Sequence, residues 1–107
     1  MIVINDRFAD GTDVSWLWDV DFELLAGRVT FAVVSGLRAD DMAVRLKYAG
    51  VDPSLILTEG DTSKALEMAL ERTPEGETLF LLPTYTAMLD VRGSLAAAGH
   101  ISQFWED

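Results

Sequence analysis

The chain predicts an α/β domain, a mainly parallel sheet with flanking helices. Three observations lead there. Four apolar, β-rich runs (Ile2 to Ile4, Val29 to Val34, Leu55 to Leu57 and Leu79 to Leu82) are continuous, as strands buried on both faces are, and not alternating. Segments with helical spacing separate and follow these runs, and a repeated strand–helix alternation calls for parallel neighbours joined by right-handed crossovers. Stop residues fall where the pattern changes: Gly50, Pro53, Pro74, Gly76 and Gly99.

The elements follow in order. After Ile2 to Ile4 comes a polar stretch, and a first helix is predicted from Asp13 to about Leu25, with Asp13 as its N-cap and Val14, Leu17, Trp18 and Leu25 as its apolar stripe. A second runs from about Ala39 to Ala49, burying Ala39, Met42, Ala43 and Leu46. Asp40 and Asp41 sit in its first turn and Arg45 and Lys47 towards its end, as the helix dipole favours. Gly50 stops it and Pro53 prevents continuation. The third, Thr62 to Arg72, turns Ala65, Leu66, Ala69 and Leu70 inward behind an Asp61 cap. The fourth spans about Tyr85 to Ala98, with Gly99 as its stop. His100 then reads as a surface residue, and the tail Ile101 to Asp107, with Phe104 and Trp105, is left to pack on the sheet edge or to make a contact.

Composition removes several function classes. At 107 residues the chain is one domain with one core, without internal linker, repeat or low-complexity segment. A net charge of −10 with only eight Lys and Arg argues against nucleic acid and against anionic membrane surfaces, and favours a partner with a basic docking face. The lack of cysteine excludes disulfides, thiolate metal sites and cysteine nucleophiles, and fits a cytosolic protein. With His100 the lone histidine, a His-Glu-x-x-His helix is impossible and no Ser-His-Asp set forms in the well-patterned part of the chain; no metal site is expected. No apolar run approaches the roughly 20 residues that span a bilayer, so no membrane insertion is expected. A chain that opens directly on a strand-like run reads as a fragment of a longer protein, with Met1 an added start.

In parallel sheets the functional edge is the carboxyl end of the strands. That rule gathers Asn5 to Asp13, Ser35 to Arg38, Thr58 to Asp61 and Pro83 to Thr86 onto one rim. Ser35-Gly36 ahead of a helix is a candidate anion cradle, although a tight strand-to-helix turn explains it better. No Gly-x-Gly-x-x-Gly or Gly-x-x-x-x-Gly-Lys-Ser/Thr stands behind it. Arg38 is placed to meet a carboxylate or phosphate, or to stay a surface arginine. Thr84 and Tyr85 offer hydroxyls, with Thr84 serving equally as the N-cap of the last helix. Asp10 is a candidate to cap a turn with Gly11.

The stretch from Asn5 to Glu23 is the most informative. It holds six carboxylates and two tryptophans. A solvated acidic face has no need of tryptophan, and a core helix does not tolerate the carboxylates. On a helix, Asp19 and Glu23 stand four apart and repel slightly. Trp16 falls off the apolar stripe, and an exposed tryptophan among carboxylates is a typical interface anchor. An edge-packed helix with one extra apolar residue accounts for the pattern about equally well.

Three blocks carry a family resemblance: Ile4-Asn5-Asp6, Ala9-Asp10-Gly11, Asp13-Val14-Ser15-Trp16-Leu17-Trp18-Asp19 and Asp21-Phe22-Glu23; Ser35-Gly36-Leu37-Arg38-Ala39-Asp40-Asp41-Met42-Ala43 with Arg45-Leu46-Lys47-Tyr48-Ala49-Gly50-Val51; and Leu82-Pro83-Thr84-Tyr85-Thr86-Ala87-Met88-Leu89. In these the chain resembles the C-terminal domain of MurT, the Mur-ligase-like subunit of glutamine-hydrolysing lipid II isoglutaminyl synthase. The resemblance implies a Rossmann-like module in a bacterial, cytoplasmic complex. There the full-length subunit uses ATP and Mg to activate the D-glutamate carboxylate of lipid II in peptidoglycan synthesis. A class I glutaminase, GatD, supplies ammonia, and the C-terminal domain docks on it and lends an aspartate to the partner's Cys-His pair. Carried onto this chain, the aspartate is Asp19, with Asp13 and Asp21 as alternatives. Trp16, Trp18, Phe22 and Glu23 become the partner-binding residues, and Asp10, Arg38, Thr84 and Tyr85 a weaker rim or substrate side.

Two departures limit the carry-over. The Gly-Lys-Thr/Ser loop and zinc-ribbon cysteines of the whole subunit are absent, so this chain does not form an amide bond alone and carries no cofactor of its own. Phe8 and Asp10 replace residues of an Asp-Tyr-Ala-His type motif, so roles copied from ordinary Mur ligases do not transfer there. The alternative function is a free-standing binding module that kept the docking surface without ligase activity.

Overall fold

Two short central strands, apolar in both directions, organise the molecule. The computed structural model describes residues 1–99. Strands β1 (Ile2–Val3), β2 (Ala32–Ser35), β3 (Ile56–Thr58) and β4 (Leu82–Pro83) form one parallel sheet in the order β3-β2-β1-β4. Ile2, Ile4, Ala32 and Val34 face helix α1 (Ala39–Tyr48) and the chain from Val14 to Val29. Met1, Val3 and Val33 face α2 (Thr62–Arg72) and α3 (Tyr85–Ala97). Side chains alternate across a strand, so a continuous apolar run feeds both layers at once.

Burial on both faces holds for β1 and β2 but not for the edges. β3 is half-buried and Leu82 of β4 is 50% exposed. The run expected from Val29 enters the sheet only at Ala32, and the one expected from Leu79 only at Leu82. β4 pairs only with β1, and the hydrogen bonds between them reach back to Phe80, whose carbonyl accepts from the Met1 amino group at 2.7 Å.

The helix ends follow local chemistry. Asp61 accepts from the Lys64 amide at 3.0 Å, the expected cap of α2. α1 closes at Ala49, and Gly50 (φ +95°) turns the chain so that the Val51 amide reaches the Leu46 carbonyl at 3.1 Å.

The first expected helix is a correction. Asp13 to Leu25 forms no α-helix but two short 3-10 turns, Ser15–Trp18 and Phe22–Leu25, split by Asp19 to Asp21. Asp21 sits at φ −77°, ψ 60°, outside the helical region. Asp13 accepts from the Ser15 amide at 2.9 Å, a local bond that competes with helix, and Val14 sits in the Ncap place of the first turn. β-branched and aromatic residues add little helix propensity to oppose it. Leu17 and Phe22 both enter the core from a spacing no single helix face provides, and the expected Asp19–Glu23 helical pair does not form. His100 and the tail from Ile101, with Phe104 and Trp105, lie outside the described residues. Among the described residues, no helix is long and apolar enough to cross a membrane.

Candidate functional site

The strand order reverses beside β1: β2 and β3 add on one side, β4 on the other. Such a switch point opens a crevice at the strands' carboxyl ends, and the loops after β1, β2 and β4 meet there. Its centre is Asn5, 2% exposed and so short of water. Asn5 Oδ1 accepts from the Leu37 amide at 3.0 Å, and Nδ2 donates to Thr86 Oγ1 at 3.0 Å and Asp90 Oδ2 at 3.3 Å. The Asn5 amide donates to Thr84 Oγ1 at 3.1 Å. One amide side chain thus joins the loop after β1, the turn after β2 and α3, each of its donors and its acceptor satisfied as burial demands.

Thr84 therefore occupies the N-cap place of α3 without capping it. Asp10 does so instead. Its carboxylate accepts from the Thr86 amide at 2.6 Å and from the Thr86 hydroxyl, and also from the Arg7 amide at 3.1 Å. Partial desolvation works against ionisation of Asp10, but the bonds from Thr86 and Arg7 prevail and hold it below the usual carboxylate range. The expected local turn cap is a cap on a helix from the far end of the chain.

Arg38 takes the carboxylate option. Its Nε donates to Asp6 Oδ2 at 2.7 Å and its Nη1 to Asp41 Oδ2 at 3.3 Å, which raises its already high pKa, the bond to Asp6 counting most. The Ser35-Gly36 turn does not cradle an anion. Gly36 is at φ +90°, where an added Cβ would stand 2.5 Å from the Ile4 carbonyl oxygen. The next two amides already donate to Asn5 Oδ1 and the Ile4 carbonyl. Tyr85 is exposed at the rim's margin. Among the described residues, no group of three or more His, Cys, Asp or Glu is placed to hold a metal ion.

The second polar region is the acidic, aromatic segment against α1. Phe22 is 8% exposed and Trp16 half-buried, so both support the surface from beneath. Trp18 is 53% exposed and meets the Tyr48 ring edge to face, centroids 5.5 Å apart. Asp19 and Asp21 are exposed beside it and belong to none of the three ion pairs among the described residues. Asp13 differs: the Ser15 amide, and then its hydroxyl, hold that carboxylate below its usual range.

Glu23 pairs with Arg45 at 2.9 Å, and that hydrogen bond lowers its pKa. Arg45, expected only to complement the dipole near the end of α1, is buried. Its signal was its spacing, three residues after Met42 and four before Ala49 on the buried side of α1. Exposed Val20, Leu24, Val44 and Tyr48 extend the aromatic surface.

At the opposite, amino-terminal end of the sheet, an apolar hollow of about 400 Å³ is lined by Met1, Phe31, Pro74, Leu79, Phe80 and Leu82. It holds none of the site residues expected from the sequence.

Sheet order, layers and switch-point crevice define a parallel α/β domain. Comparison with known proteins narrows the class. The sequence model of the family described as MurT ligase C-terminal matches residues 1–88, and the chain belongs to that family. It is 37% identical over 89 residues to the lipid II isoglutaminyl synthase (glutamine-hydrolyzing) subunit MurT of Staphylococcus aureus (strain COL), covering 82% of this chain and 20% of that protein. To the same subunit of Streptococcus pneumoniae (strain ATCC BAA-255 / R6) it is 33% identical over 97 residues, covering 90% of this chain and 21% of the relative. The chain thus spans about a fifth of the length of the curated relatives it matches.

Proposed function

We propose that this domain docks a GatD-type class I glutaminase and lends it the Asp19 carboxylate, as part of the ATP- and glutamine-dependent amidation of D-glutamate in lipid II. The observation that carries the reading is the exposed Asp19 carboxylate, outside every ion pair among the described residues, beside the Trp18–Tyr48 pair. The relatives' names speak of a glutamine-hydrolyzing synthase and of a subunit, which supports an assembly with a second chain.

The chemistry asks little of the domain and much of its geometry. In the partner, a histidine takes the proton of a cysteine thiol and the thiolate attacks the glutamine amide carbon; the C–N bond breaks as the proton passes to the leaving ammonia, and water then hydrolyses the thioester to glutamate and restores the thiol. A carboxylate bonded to the histidine's far nitrogen fixes its tautomer and stabilises the imidazolium. Asp19 and Asp21 are free to act in this way, whereas Asp13 is engaged by Ser15. Trp18 and Tyr48 exclude water around such a contact.

The test mixes the chain with a GatD-type glutaminase and follows binding by calorimetry and glutamine hydrolysis by ammonia release. Binding with stimulated hydrolysis supports the reading, and absence of binding removes it. Asp19→Asn is expected to bind as tightly yet lose on the order of 10³–10⁴-fold in kcat, the scale seen when a triad carboxylate becomes an amide. Full stimulation by that variant moves the role to Asp21 or Asp13.

A further inference from the structure

The segment bearing Asp19 has no sheet partner and no regular helix. Its own hydrogen bonds are short-range: Leu17 to Val14, Asp19 to Trp16, Phe22 to Val20, Leu24 to Asp21, Ala26 to Glu23. Among the described residues, the long-range hydrogen bonds to it all come from one side chain, Arg45 of α1. Nε donates to the Leu17 carbonyl at 2.7 Å, and Nη2 to the Val20 carbonyl at 2.7 Å and Glu23 Oε1 at 2.9 Å. The guanidinium carbon lies 5.2 Å from the Trp18 ring centroid and 5.4 Å from that of Phe22. Arg45 therefore grips the backbone on both sides of Asp19 while touching the neighbouring ring.

That grip is more than packing requires. A guanidinium at 3% exposure is costly to bury, and an apolar residue would fill the space against Phe22 without that cost. What an apolar residue cannot do is fix two carbonyls in a chosen direction. Lysine cannot match it either, because its ammonium lacks the planar fork that reaches both carbonyls and stacks on a ring.

Resting on the function proposed above, we infer that Arg45 is a positioning residue for the partner's glutamine hydrolysis. It holds the Leu17–Val20 turn so that the Asp19 carboxylate meets the partner histidine at hydrogen-bond distance. Displacement of a catalytic group by about 1 Å costs on the order of 10²-fold in rate. Loss of the grip therefore appears in kcat at saturating partner and glutamine, while the glutamine KM is set by the partner alone.

The experiment is a double-mutant cycle on this chain with its glutaminase. Arg45→Lys is expected to lower kcat on the order of 10²-fold, with glutamine KM unchanged and a native circular dichroism spectrum. In the Asp19→Asn background the same change is expected to have no further effect, within about twofold, the scatter of independent effects. Should Arg45→Lys fail to fold, Glu23→Ala, which removes one of the three anchors at the surface, replaces it, with a smaller kcat loss that again vanishes in the Asp19→Asn background. A folded variant with wild-type kcat, or an equal fractional loss in both backgrounds, overturns the role of Arg45. A wild-type chain that fails to stimulate the glutaminase overturns the function reading, and this role with it. Full activity of Asp19→Asn overturns the coupling of Arg45 to Asp19 while leaving docking standing.

Discussion

The rim at the β1–β4 switch point and the acidic segment on α1 are both rich in carboxylates, yet they use them in opposite ways. At the rim, Asn5, Asp6, Asp10, Thr84, Thr86 and Arg38 bond to one another and to backbone amides. In the segment, Arg45 directs two of its three hydrogen bonds to carbonyls and the third to Glu23, while the Asp19 and Asp21 carboxylates stand in solvent. Carboxylates already paired stabilise the domain, whereas Asp19 and Asp21, outside every ion pair among the described residues, stay accessible to a second molecule. The contrast shows that charge density alone does not locate a site; what matters is which polar atoms the fold has left unpaired.

Breaking the rim should unfold the domain without touching the chemistry, the reverse of Asp19→Asn. Asn5→Leu strands the Leu37 amide and takes one partner from the Thr86 hydroxyl, and we expect a loss of about 2–4 kcal/mol in urea unfolding at pH 7. Glutaminase stimulation should persist at temperatures where the variant is still folded. Asp10→Ala removes only the cap of α3 and its tie to Arg7, and should cost about 1 kcal/mol by the same measurement. Asp19→Asn should fall within about 0.5 kcal/mol of wild type, as exposed substitutions do.

The smallest effect is one of pH. Asp10, Asp13 and Glu23 all ionise more readily in the folded domain than in a free chain. Their contribution is therefore complete above the unfolded carboxylate pKa and is lost as pH falls through the lower folded values. Thermal melts should be flat between pH 7 and about 5 and fall below about pH 4, where free carboxylates titrate. Asp10→Asn should flatten part of that acid limb, and an unchanged limb would show that Asp10 is not among the groups responsible.

Much of this architecture was legible from residue order. Continuous apolar runs announced the parallel strands, and Asp61, Gly50 and Pro74 marked the ends of α1 and α2 where the structure has them. Strand ends were less so, because a run such as Leu79 to Leu82 joins the sheet only where a neighbouring strand supplies partners. The segment after Asp13 misled for a different reason. Its apolar spacing suits a helix, but a long-range arginine and a local Asp13–Ser15 bond stabilise turns that no periodicity records. Asn5 and Arg45, the two side chains that organise the polar regions, are residue types ordinarily read as surface; both are buried, and of the two only Arg45 had a sequence signal, its spacing on α1.

The bond between Asp10 and Thr86 joins residues 76 positions apart, and those from Asn5 reach 79 to 85 positions ahead. Contacts of such separation are slow to form, since the intervening chain must first be ordered. During synthesis, the first loop must wait for the last helix before either is complete, so folding of this domain is expected to finish only after Thr86 and Asp90 have left the ribosome. A nascent chain halted upstream of Thr86 would carry β1 to β3 with an open switch point and an uncapped rim, which protease sensitivity would reveal.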